Sequence, residues 1–163
     1  MKLSIKKGFS FGLTSGIITT LGLIVGLHSG THSKIIIIGG IFVIAFADSL
    51  SDALGIHISE EAENHHSRRE IWESTISTLC SKFISASIFI IPFLILPLAA
   101  AIIASIILGI FLIALFSYYL AKQQNIKPWS VILEHVIITI IVIIITHYVG
   151  DLIGTFDGNI ILD

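Results

Sequence analysis

Between Phe83 and Ala121 the chain carries no charged side chain. Wound as a single α-helix at 1.5 Å per residue, that run would be about 58 Å long, roughly twice the ~30 Å of hydrocarbon in a bilayer. So long an apolar run is best accommodated in lipid, turned back on itself. Pro92 and Pro97 remove backbone donors from any helix that contains them, and they mark the expected turn. Composition agrees. The 163 residues are 55% hydrophobic and 12% charged, about half the charge of an ordinary soluble domain.

Three further boundaries follow from the same logic, giving an all-α, polytopic membrane protein of five helices in a single transmembrane domain, 1–163. The spans are expected at about 8–27, 35–58, 75–96, 99–121 and 130–149. Lys127-Pro128-Trp129 precedes the last span and places a tryptophan at the interface. The N-terminal Lys2, Lys6 and Lys7 followed by an apolar run imitate a signal peptide. No small-residue cleavage site follows, so the run reads as a retained first span. With the N-terminus inside, Lys2, Lys6, Lys7, Arg68, Arg69, Lys122 and Lys127 all fall on the cytoplasmic side, and only Lys34 falls outside. Five spans then put the C-terminus, with Asp151, Asp157 and Asp163, on the opposite face.

Two glycine ladders, Gly8-Gly12-Gly16 and Gly22-Gly26-Gly30, let helix backbones approach closely, either within the chain or across a dimer seam. No basic stripe exists, so nucleic acid is excluded as a partner. Cys80, the single cysteine, cannot form an internal disulfide and is expected to pack among apolar neighbours.

Chemistry is concentrated in the second span. Asp48 and Asp52 lie one turn apart in an otherwise apolar helix, where each ionisable residue costs roughly 2.5–3.5 kcal/mol to insert and is read as functional by default. Counted back from Ile58, Asp52 lies roughly 9 Å and Asp48 roughly 15 Å inside the cytoplasmic boundary. If the helix continues beyond the membrane, steps of three or four residues align Asp48, Asp52, Ser59, Glu63, His66, Glu70 and Glu73, with Glu60 beside them. Such carboxylate and imidazole donors suit Fe(II), Mn(II) or Zn(II), and a lone cysteine excludes the thiolate zinc sets. Lys82 is expected roughly 10 Å deep, a candidate charge partner for Asp52 when no metal is bound. A carboxyl group in hydrocarbon tends to keep a proton until a cation displaces it, so metal binding there releases protons. His147 and Asp151 are placed to form a pair at the outer end of the fifth span, and His28 and His32 read as loop residues.

These residues carry a family resemblance. Gly8-Phe9-Ser10-Phe11-Gly12-Leu13-Thr14 opens the first span. Ala47-Asp48-Ser49-Leu50-Ser51-Asp52-Ala53-Leu54-Gly55 follows in the second, with Ser59-Glu60-Glu61-Ala62-Glu63 after it. Together with Pro92/Pro97 and Lys127-Pro128-Trp129, they make the chain resemble the vacuolar iron transporter family over about residues 5–154. The resemblance implies a five-span homodimer that exchanges Fe(II) or Mn(II) for protons, with its metal path lined by the first two spans near the dimer interface. Two departures stand out. Phe11 occupies the position of the family's usual first-span aspartate, and the connection from Ser59 to Glu73 replaces the long metal-gathering domain of larger members.

The reading of the sequence is therefore a carrier of Fe2+ or Mn2+ out of the cytoplasm by exchange with protons, and not an enzyme. Its metal residues are Asp48, Asp52, Glu60, Glu63, His66, Glu70 and Glu73, with Lys82 as charge partner. No tightly bound cofactor is expected, only the transported metal. The expected partners are divalent ions, protons, the bilayer of a prokaryotic cell and a second copy of the chain. Two alternatives use the same residues: a metal-binding scaffold that transports nothing, and an intramembrane aspartyl hydrolase. The latter needs two carboxylates sharing a proton, and no Gly-x-Gly-Asp motif is present.

Overall fold

The computed structural model describes residues 2–63 and 65–160, with side chains through Phe156; Asp163 and the side chain of Asp157 lie outside it. The elements are α1 (Leu3–Thr31), α2 (Lys34–Ala62), α3 (Arg68–Ser87), α4 (Ile90–Ile95), α5 (Leu98–Gln123) and α6 (Pro128–Ile160). There is no strand among the described residues. With α3 and α4 taken together, five helices are long and apolar enough to cross a membrane: Leu3–Thr31, Lys34–Ala62, Arg68–Ile95, Leu98–Gln123 and Pro128–Phe156.

The expected interruption of the long apolar run is present, but the helix breaks earlier than the prolines themselves. Pro92 cannot donate to the carbonyl of Ile88, and its ring would collide with that carbonyl in a continuous helix. The chain yields upstream, at Ile88 and Phe89. There Phe89 N–H donates to Ala86 O at 3.2 Å and Ile91 N–H to Ile88 O at 3.2 Å, a tighter spacing than the α-helical one. Pro92 then falls in the first turn of α4, where its missing donor is tolerated, and Pro97 precedes α5 as its N-cap residue. Pro128 opens α6 in the same way.

The described chain divides into two compact units, and α1, α2 and α4 each contribute residues to both. The first unit comprises Met1–Thr20 and Ile41–Ile91. Its organising element is α3, whose polarity is the reverse of a soluble helix. Ser74, Thr75, Thr78, Ser81, Lys82 and Ser85 are buried, while Trp72, Ile76 and Ile84 are exposed. The buried hydroxyls return hydrogen bonds to their own helix, as Thr75 does to Ile71 O at 2.7 Å and Thr78 to Ser74 O at 2.9 Å. They also reach α1: Ser77 donates to Ile5 O at 2.9 Å and Thr78 to Gly8 O at 3.2 Å. The glycine ladder of α1 makes that approach possible. A Cβ on Gly8 would lie 2.2 Å from Ser74 O, and one on Gly12 would lie 2.5 Å from Thr78 O. Cys80, expected to pack, is instead exposed on the outward face of α3, four residues from Ile76 and from Ile84.

The second unit comprises Leu21–Gly40 and Pro92–Asp163. Here the second glycine ladder meets α6: a Cβ on Gly150 would lie 2.2 Å from Gly26 O, and one on Gly30 would lie 3.1 Å from Gly150 O. Both ladders are thus occupied by contacts within the chain. Lys34 Nζ donates to Leu96 O at 2.9 Å, satisfying a carbonyl in the link between α4 and α5. Leu21, Ile24, Ile37, Phe93, Ala101 and Ile113 form the buried core of this unit.

Candidate metal site

The first unit brings Asp48, Asp52 and Lys82 together. One turn separates the two aspartates on α2, and both carboxylates turn toward α3, where the Lys82 side chain is only 1% exposed. Lys82 Nζ lies 2.5 Å from Asp48 Oδ2 and also hydrogen-bonds Asp52 Oδ2. From α1, Ser15 Oγ donates to Asp52 Oδ2 at 2.8 Å and Thr19 Oγ1 to Asp48 Oδ2 at 3.2 Å. The carboxylates are 30% and 21% exposed, so the pair is enclosed by this unit on one side only.

Ser15 and Thr19 escaped the sequence reading. Their signal was present in the register: they stand one and two turns beyond Phe11 on the same stripe of α1. Where a first-span carboxylate is missing, this helix offers hydroxyl oxygens.

A second cluster forms where α2 ends. Glu60 is buried at 1% exposure, with Oε1 2.5 Å from Lys7 Nζ, an ion pair by distance though not in hydrogen-bond alignment. His66 Nε2 lies 3.2 Å from Glu60 Oε2 and 3.0 Å from Glu63 Oε2, and Lys7 Nζ lies 3.5 Å from Glu63 Oε1. The hydrogen bond from His66, with the charge of Lys7 behind it, holds the Glu63 carboxyl below the usual carboxylate range. Beside this cluster a cavity of about 210 Å³ is lined by His57, Glu61, Arg68, Ile71 and Trp72. His57 Nδ1 lies 3.0 Å from Thr75 Oγ1.

The expectation of one continuous stripe fails at Ala62, where α2 stops; Glu70 and Glu73 belong to α3. Glu70 completes a capping box. It accepts from Ser67 N–H at 2.9 Å and Ser67 Oγ at 2.7 Å, while Ser67 Oγ accepts from Glu70 N–H at 3.4 Å. Glu73 binds Lys2 at 2.5 Å, Arg69 at 2.9 Å and Ser4 at 3.0 Å. Both carboxylates therefore hold helix ends in place.

In the second unit, Ser29 Oγ hydrogen-bonds His147 Nδ1, and His147 Nε2 lies 3.5 Å from Asp151 Oδ2. His28 lies in the last turn of α1, not in a loop, with its ring 5.2 Å from that of His32. His135 is paired with Ser117 at 2.8 Å. Among the described residues, no three His, Cys, Asp or Glu side chains are gathered closely enough to hold a metal ion unaided.

The model of the VIT family matches residues 7–75, less than half of the chain. No curated protein and no solved structure matches. The matched segment contains α1 from Lys7 onward, all of α2 and the start of α3. It therefore includes both aspartates, Ser15, Thr19 and the Lys7–Glu60–Glu63–His66 cluster, but not Lys82. Over that segment the chain is similar to the VIT family, which points to metal transport in general.

Proposed function

We propose that the chain carries Fe2+ or Mn2+ out of the cytoplasm in exchange for protons. The metal would enter at Glu60, Glu63 and His66 and pass Asp52 and then Asp48. The observation that carries this reading is the convergence of Asp48, Asp52 and Lys82, with hydroxyls of Ser15 and Thr19 supplying further oxygens. Two carboxylates with one turn between them provide hard oxygen ligands of the kind these ions accept. Their ligation requires the deprotonated form, and the protons exchanged would return along the pathway once the metal has left.

The N-terminus would lie in the cytoplasm, the orientation that puts most of the basic residues near the helix ends on that side. A homodimer in a prokaryotic cell membrane fits the partial exposure of the two carboxylates, since charge facing lipid directly is costly. A second copy would cover that face and complete the ligand set that one chain leaves short.

The test is a flux assay in liposomes across Fe2+, Mn2+, Co2+ and Zn2+, with internal pH recorded. The reading expects uptake of Fe2+ or Mn2+ accompanied by an opposite proton movement. Metal binding without flux would instead favour a non-transporting sensor or scaffold, an alternative that Phe11 on the first span keeps open.

A further inference from the structure

An ammonium group has three N–H donors and no acceptor. Those of Lys82 are met by Asp48 Oδ2, Asp52 Oδ2 and, at 2.9 Å, Ser15 Oγ. Among the described residues its side chain is one of the largest that are fully buried. Its backbone is held against α1, since a Cβ on Gly16 would lie 3.0 Å from Lys82 O and one on Gly12 would lie 3.1 Å from Lys82 N. The helix is fixed, so the ammonium can leave its carboxylates only by movement of the flexible four-carbon stem.

Charge then decides what can share the site. Two carboxylates and one ammonium carry a net single negative charge. A divalent ion added beside the ammonium would leave a net positive charge in a desolvated place, whereas a divalent ion in place of the ammonium would leave none. A monovalent ion exchanged for the ammonium changes nothing. Exchange therefore favours divalent ions over monovalent ones.

Resting on the reading of Asp48 and Asp52 as cargo ligands, we propose that Lys82 is a tethered competitor of the transported ion. Its ammonium and the divalent cation occupy the same carboxylate oxygens in turn. A competitor attached to the carrier weakens cargo binding and hastens cargo release, because the vacated carboxylates are compensated at once. It also keeps the empty site paired. Lys82 lies outside the segment matched by the family model, on the helix facing the two aspartates.

The test is Mn2+ binding by the full chain in detergent, read from the loss of the free-ion electron paramagnetic resonance signal. Four proteins are compared: wild type, Lys82→Met, Asp52→Asn and the double variant. Lys82→Met is expected to bind Mn2+ about ten-fold more tightly than wild type. Asp52→Asn leaves Lys82 to neutralise Asp48 and is expected to lose binding. The double variant frees Asp48 of its competitor and is expected to bind more tightly than Asp52→Asn, though less tightly than Lys82→Met, which keeps both carboxylates. Because the double variant keeps the net charge of the empty wild-type site, it is expected to fold, and its comparison with Asp52→Asn decides the matter even if circular dichroism shows that Lys82→Met alone has not folded. A double variant that binds no better than Asp52→Asn overturns the competitor, while the aspartates stand as ligands. Equal binding by wild type and Asp52→Asn overturns the ligand assignment and the competitor with it.

Discussion

Lys82 shows how one side chain can stabilise an arrangement that its neighbours could not hold alone. Two carboxylates one turn apart repel each other, and in a poorly solvated place that repulsion is weakly screened. The ammonium between them, at 1% exposure, compensates both. Ser15 adds the one hydroxyl that touches both the ammonium and Asp52. Replacing Ser15 with Ala is expected to slow metal flux several-fold while leaving helical content unchanged, as read by flux and circular dichroism. At the other cluster, pH is informative. The folded-state pKa of Glu63 is depressed, first by His66 and then by Lys7. Its contribution to stability is thus present above the unfolded pKa and is lost as pH falls through the folded value. In His66→Ala that loss is expected to move to higher pH, which a 13C titration of the Glu63 carboxyl would register. Asp48, Asp52 and Lys82 were legible from sequence because charge in an apolar run is conspicuous. Ser15 and Thr19 were not, since hydroxyls are common in membrane helices and only the register toward α2 distinguishes them.

At the scale of elements, α3 and the ends of α2 decide the geometry. The buried serines and threonines of α3 are small enough to let α1 approach until glycine is the only residue that fits. Gly8→Ala would drive a methyl group into the Ser74 backbone and is expected to destabilise the fold by about 1–3 kcal/mol, measured as a lowered melting temperature in detergent. Ser67→Ala removes the N-cap of α3 and is expected to cost about 1 kcal/mol without changing metal flux. The pattern Ser67-x-x-Glu70 was readable in advance as a capping box, yet the run of acids and histidines around it favoured an extended helix. Five apolar spans were legible because bilayer thickness fixes their length. The break at Ile88 and Phe89 was not, because a proline disturbs the carbonyl four residues before it, while the eye is drawn to the proline itself.

For the molecule as a whole, five helices long and apolar enough to span make this an integral membrane protein, and its segment 7–75 is similar to the VIT family. The carboxylates lie within the matched segment and the lysine that pairs with them lies beyond it. Function on this account belongs to the folded chain rather than to the matched segment alone. The central claim is that a divalent ion crosses the membrane by way of Asp48 and Asp52. Its most direct test is Mn2+ uptake into liposomes reconstituted with wild type, Asp48→Asn and Asp52→Asn, each verified as folded by circular dichroism. The account predicts uptake by wild type and its loss, with the accompanying proton movement, in both variants. Undiminished uptake in both would contradict it.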